Sequence, residues 1–114
     1  MPYTLLGQQA SISQEPRIQM DRTYVPLDEV TRQLNGSTTW DNDQKVATAT
    51  IGQWTATLRM GDENVDVSGT PVRLVSPPFV EDGVMWVPTQ FFQAAFGYKV
   101  DVNPQQGDVA IAMP

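Results

Sequence analysis

The chain contains no cysteine and no histidine among its 114 residues. Without cysteine there are no disulfides, no thiolate metal sites and no cysteine nucleophiles, and the redox compartment stays open. Without histidine, the usual copper, zinc and non-haem iron sites lose their commonest ligand, and every Ser-His-Asp arrangement is excluded. Basic residues are scarce as well: Lys plus Arg total 7 against 13 Asp plus Glu, for a net charge of −6. Phosphate recognition draws on clustered cations, so nucleic acid is ruled out as a partner and an anionic membrane surface is disfavoured. No apolar run reaches the roughly 18 to 20 residues of a membrane-spanning helix, so no membrane span is expected. Met1 to Ala10 also lacks the basic start and apolar stretch of a signal peptide. The expectation is therefore either a cytoplasmic protein or a leader lying outside this segment.

What is present describes a folded chain. Forty per cent of the residues are apolar and 18% are charged, the balance of a globular protein. The length suits one domain, and half of it would be short of a comfortable core. That matters because the sequence is written twice. Val25-Pro26 returns at Val87-Pro88, 62 residues on (87 − 25), and at that offset Gly7 meets Gly69, Pro16 meets Pro78, Ile18 meets Val80 and Tyr24 meets Trp86. Further along, Leu34 meets Phe96, Asn35 meets Gly97 and Trp40 meets Val102, after which one extra residue enters the second copy. The expectation is a single domain, 1–114, made of two tandem, pseudo-symmetric repeats that share one core. They run over about 1–52 and 63–114 and are joined by a hairpin strand at 53–62.

In each copy the Val-Pro step opens a short helix. Pro26 suits a first helical position, where its missing N–H costs nothing, and Pro88 repeats it; Asp28 and Glu29 follow in the first turn, where the helix dipole favours acids. Leu27, Val30 and Leu34 share one face at helical spacing, and Phe92, Ala95 and Phe96 form the buried face of the second helix. Asn35 and Gly97 stop the helices, because both residue types tolerate the left-handed backbone. Around the helices the pattern predicts strands. Val46–Ile51 and Trp54–Met60 meet at Gly52-Gln53, Val65–Val67 and Val72–Val75 meet around Gly69, Met85–Val87 follows the Asp82-Gly83 turn, and Val109–Ala112 closes the chain. Asp21 stands where Gly83 stands in the second copy and is expected to be left-handed too. Pro16 and Pro77-Pro78 should keep the chain extended and limit sheet pairing. Each copy thus reads as three strands, a helix and two strands, an α+β class with mostly antiparallel sheet.

The stretch from Asp21 to Leu27 (Asp-Arg-Thr-Tyr-Val-Pro-Leu), followed by a short helix, Thr39-Trp40-Asp41 and a Val-rich strand, resembles the copper amine oxidase N-terminal-like repeat, also called the stalk domain. Leu58 to Phe96 resembles it more closely, through Leu-Arg-Met-Gly, Val-Asp-Val-Ser-Gly, Pro-Pro-Phe-Val-Glu-Asp-Gly and Trp-Val-Pro. Asp21 and Asn35 depart from the family's usual glycines, and Val102-Asn103 from its usual Trp-Asp. The resemblance implies a domain common in secreted or surface-attached bacterial proteins, often beside enzyme or cell-wall-binding domains. It does not imply oxidase activity, since the family is named after an appendage outside the catalytic domain.

The remaining chemical groups are carboxylates, methionines and aromatics. Met1, Met20, Met60, Met85 and Met113 have no close spacing, so core packing or exposed chance positions explain them better than a cuprous site. Asp41-Asn42-Asp43 and Asp62-Glu63-Asn64 match no calcium-loop pattern and read as solvated turns. No cofactor, metal ligand or catalytic residue is assigned. Tyr24 and Trp86, equivalent positions before the Val-Pro step, are read as structural. Trp54 has no counterpart and is the first choice for a contact with a ligand or partner, with Trp40 and Tyr98 beside it. The function expected is a noncatalytic structural or protein-interaction module of a cell-surface or secreted protein, contacting a protein partner or a cell-envelope component. A homodimer through sheet edges is its concrete version. The alternatives are a carbohydrate-binding module of the cell wall and a small enzyme using acidic residues.

Overall fold

The computed structural model describes residues 2–103 and 105–114; Met1, one of the methionines weighed above, lies outside them. Among the described residues there are thirteen strands in three sheets and two short helices, an α+β arrangement. The chain runs β1 (Tyr3–Leu5), β2 (Gln8–Ala10), β3 (Arg17–Gln19), β4 (Arg22–Pro26), α1 (Leu27–Gln33), β5 (Ser37–Asp41), β6 (Val46–Ile51) and β7 (Trp54–Arg59). It continues β8 (Asn64–Val67), β9 (Thr70–Arg73), β10 (Phe79–Glu81), β11 (Val84–Pro88), α2 (Gln90–Phe96), β12 (Lys99–Asn103) and β13 (Asp108–Ala112). Two-residue turns with positive φ make the tight hairpins. Ser68 and Gly69, at 48° and 93°, join β8 to β9, and Asp21 takes 58° in the β3–β4 turn where Gly83 takes 78° in the β10–β11 turn. Paired positive φ values match the right-handed twist of the strands they connect.

The central sheet has the order β10-β11-β4-β3. β4 and β11 are antiparallel with Val25 opposite Val87, so each of these valines faces the residue 62 positions away, and Tyr24 opposite Pro88 mirrors Trp86 opposite Pro26. Val25 and Val87 point to one face, where they join the main apolar cluster with Leu27, Val30, Leu34, Phe91 and Phe92. The other face carries Tyr24, Trp86, Phe79 and Arg17. There Tyr24 meets Phe79 at 4.9 Å between ring centroids, and the Arg17 guanidinium lies 5.0 Å from the Trp86 ring and 5.6 Å from Phe79 while pairing with Glu81. Such cation-aromatic stacking also covers the rings from water.

Two further sheets flank this centre, with orders β12-β13-β1-β2 and β5-β6-β7-β8-β9. In the five-stranded sheet every pairing is antiparallel. Its inner face buries Ala47, Ala49, Ala56, Leu58, Val65 and Val67, whose small and β-branched side chains let α1 pack closely on β5 and β6. Its outer face is a solvated threonine surface, with Thr39 opposite Thr48 and Thr48 opposite Thr57. The clean in/out alternation is that of an antiparallel sheet with one wet side. Gly36 makes the turn from α1 into β5 where a Cβ would lie 2.4 Å from the Thr50 carbonyl oxygen.

Four expectations need correction. Four strands, not three, precede α1, and one more than expected stands before β11, because β3 and β10 were not foreseen; they are three-residue edge strands whose prolines, Pro16 and Pro78, sit just before them, where no ladder hydrogen bond is lost. Pro26 is not the first helical residue of α1. It is the last residue of β4 and caps the helix with extended backbone, φ −70° and ψ 125°. The strand placed at Val72–Val75 begins at Thr70, since the two-residue turn feeds directly into it. In α2 the buried face is Phe91, Phe92 and Ala95, with Phe96 only partly covered, because α2 starts after Thr89 and rotates Phe91 into the core.

Candidate functional site

Trp40 and Trp54 occupy opposite ends of one inner sheet face. Trp40 stands opposite Ala47 and Ala47 opposite Leu58, while Trp54 stands opposite Ile51 across the β6–β7 turn. Strand alternation therefore turns both indoles to the side that α1 covers, yet they stay 42% and 54% exposed. Tyr98, by contrast, is 8% exposed and packs into the core, and its burial pushes the phenol above its ordinary pKa. It offers little surface to a partner.

The two tryptophans differ in their surroundings. Trp54 has Ile51 opposite it on the ladder, while the neighbouring threonine pair Thr50 and Thr55, whose hydroxyls lie 3.2 Å apart, points to the other face of the sheet. Trp40 lines a groove of about 380 Å³ between the first turn of α1, strand β5 and the β10–β11 hairpin. Asp28 and Arg32 fall one helical turn apart on α1 and form an ion pair, Nη2 to Oδ2 at 2.7 Å, on the groove wall. The Thr38 hydroxyl, two residues before Trp40 and hence on the same face, donates to the other Asp28 oxygen. Glu29 is held differently: the Ser13 backbone N–H donates to its Oε2 at 2.8 Å, and the Ser13 hydroxyl donates to Oε1. Thus an aromatic surface, an oriented guanidinium and the Asp28 carboxylate share one concave site, while the Glu29 carboxylate is turned to Ser13, which does not line it. Trp40 was named from the sequence; Arg32 and Thr38 were not, although the i, i+4 spacing of Asp28 and Arg32 was there to be read.

The recurring positions lie in the frame of the molecule. Gly7, Gly69 and Gly97 have φ of 82°, 93° and 77°, and Asn35 has 67° directly after α1. Pro26 and Pro88 end β4 and β11 and face Trp86 and Tyr24 across the ladder. Tyr24 and Trp86 are buried, and the Tyr24 hydroxyl donates to the Pro77 carbonyl at 2.7 Å and hydrogen-bonds Ser76 Oγ at 2.7 Å.

The acidic clusters serve their own turns. Asp41 Oδ1 accepts from the backbone N–H groups of Asp43 and Gln44 at 3.0 and 3.2 Å, and Asp62 Oδ1 accepts from Asn64 N–H at 2.9 Å. Among the described residues no three His, Cys, Asp or Glu side chains converge as a metal site. A copper centre calls for imidazole or thiolate donors, and the chain has neither residue, so its donor set does not fit copper. Among the described residues no helix is long and apolar enough to cross a membrane.

No curated protein matches the chain. A family does match, described as the copper amine oxidase N-terminal domain, over residues 4–111. That span takes in every strand from β2 to β12, both helices, and most of β1 and β13. The chain belongs to the copper amine oxidase N-terminal domain family, a noncatalytic part of those enzymes.

Proposed function

We propose that this chain is a noncatalytic structural and interaction module of a bacterial cell-surface or secreted protein, which meets a protein partner or a cell-envelope component. The observation that carries the reading is the open edge at β5. The other edges carry protection: β9 contains Pro71, β2 has three residues, and β3 and β10 have three each behind a proline. β12 is as long as β5 but bears Lys99 and Asp101. β5 has five residues, no proline and a single charge, Asp41, at its end, so its free backbone groups suit strand addition by another chain or by a second copy of this one.

The proposal includes the arrangement of the module as two pseudo-twofold repeats, about 1–52 and 63–114, with β7 as the joining strand. Support comes from the Val25 and Val87 pairing and from the flanking sheets. In one, β6 and β8 are each antiparallel to β7; in the other, β13 and β1 pair directly and in parallel, as β6 and β8 would if β7 were removed.

Light scattering over a wide concentration range tests the self-pairing form: a dimer that Thr39→Pro in β5 dissolves is expected, and a strict monomer throughout counts against it. Fractionation of the producing bacterium tests the surface placement. The exposure of Trp40 beside a groove favours a second reading, a carbohydrate-binding module.

A further inference from the structure

We infer that the groove beside Trp40 binds one ring of a neutral saccharide, an inference that rests on the noncatalytic module reading and names its ligand. Size is the first argument, because about 380 Å³ lies within the roughly 300 to 1,000 Å³ range of small-ligand sites. Chemistry is the second. Trp40 offers an indole face to the apolar side of a sugar ring, and Arg32 spends one guanidinium nitrogen on Asp28 while its remaining N–H groups stay free to donate to ring hydroxyls. Asp28, already held by the Thr38 hydroxyl and by Arg32, adds an acceptor without needing to move. Charge is the third argument. Two acidic residues against one arginine, in a chain of net charge −6, repel an acidic ligand, and an uncharged, hydroxyl-rich ring meets no such repulsion.

The aligned residues of the second segment supply an internal comparison. Pro88, Gln90 and Val102, which stand 62 positions after Pro26, Asp28 and Trp40, line another groove of about 290 Å³ with Asp21 and Arg22. Val102 keeps the strand register there, opposite Val109, so the scaffold does not need an indole at this place. Ala94 stands where Arg32 stands. An arginine borders each groove, Arg32 in one and Arg22 in the other, but only the first carries an indole platform beside it.

The test is calorimetric titration of the full chain with cellohexaose and with chitohexaose, followed in parallel by tryptophan fluorescence. Saturable binding of at least one neutral oligomer is expected, with none of polygalacturonate. Trp40→Val, which copies the residue of the second groove, should weaken binding by about tenfold or more, and Arg32→Met should do likewise. Trp54→Ala should leave it unchanged. Absence of saturable binding to either oligomer overturns the inference, as does unchanged binding in both Trp40→Val and Arg32→Met, or loss confined to Trp54→Ala. Near-UV circular dichroism confirms folding of each variant, and Arg32→Met stands alone if Trp40→Val fails to fold. Reducing ends are assayed in the same samples. Their growth would refute the noncatalytic reading but not the saccharide site, whereas a chain that dimerises and binds no sugar keeps the first and loses the second.

Discussion

Gly36→Ala should be among the most damaging single-methyl changes in this fold. A Cβ at Gly36 would stand 2.4 Å from the Thr50 carbonyl oxygen, 2.6 Å from Ile51 Cγ1 and 2.9 Å from Thr31 Cγ2. The first neighbour is backbone and cannot rotate away, since Thr50 lies in β6, laddered to β5 on one side and to β7 on the other. Gly36 itself donates to the Thr31 carbonyl at 2.9 Å, so moving it outward breaks the end of α1. Relief therefore requires shifting the α1–β5 junction off the sheet, which places the cost near the upper end of overpacking penalties, about 3 kcal/mol. For 114 residues the unfolding entropy near Tm is about 0.24 kcal/mol/K, so the melt should fall by roughly 12 °C. Gly52→Ala is the comparison. Gly52 has φ of 60° with nothing within 4 Å of a Cβ, so only backbone strain of about 1 kcal/mol is added, or roughly 4 °C. Thermal unfolding followed by circular dichroism measures both. A smaller loss at Gly36 than at Gly52 would refute the reasoning, because it would mean the junction yields at no cost.

Three other perturbations address separate parts of the fold. Tyr24→Phe deletes a buried hydroxyl and leaves the Pro77 carbonyl and Ser76 without their partner, so denaturant unfolding should show a loss of about 1 to 3 kcal/mol with an unchanged m-value. Tyr3 is buried, donates to the Gln14 carbonyl at 2.9 Å, and has its pKa raised from 10.0, first by burial and then by Glu29 and Glu15. The unfolded phenol thus loses its proton before the folded one does; the contribution is intact below pH 10 and declines as pH rises above it, so Tyr3→Phe should flatten the alkaline limb of a stability-versus-pH curve. Arg17→Ala uncovers Phe79 and Trp86 and removes the Glu81 pair, and chemical denaturation should register about 1 kcal/mol, with Arg17→Lys recovering part of it.

The parts of the fold legible in the sequence are those set by local rules. Leu27, Val30 and Leu34 carry helical spacing and are buried, and Asp21 and Gly83 take the same left-handed backbone because each turn demands it. Gly36 carried no such mark. Its φ is not left-handed, and its need for hydrogen in place of a methyl arises only when β6 arrives beside it. The same holds for β3 and β10, whose three residues make too short a pattern to distinguish from extended loop. The candidate site was half visible. Trp54 stood out because it has no aligned counterpart, and Trp40 was named with it as an aromatic able to contact a ligand. Which of them borders a concavity depends on where α1 and the β10–β11 hairpin pass, and these come from 12 residues before and more than 40 residues after Trp40.

The sheet register separates positions that serve stability from positions open to binding. Val25 and Val87 lock β4 to β11 at the centre, and any residue on those strands is constrained by its counterpart across the ladder. Tyr24 against Phe79 and Trp86 against Arg17 illustrate that constraint: aligned positions make aligned contacts, an aromatic pair in one case and a cation over a ring in the other. Away from the centre the constraint relaxes. Trp40 and Val102 stand at the rims of different sheets, one edge strand each, and neither has to accommodate the other. An indole could be placed at one rim without disturbing the core, beside an Asp28 and Arg32 pair that the second helix lacks. Central substitutions should therefore be read in stability and rim substitutions in binding, and that separation is the pattern that comparing Tyr24→Phe with Trp40→Val measures.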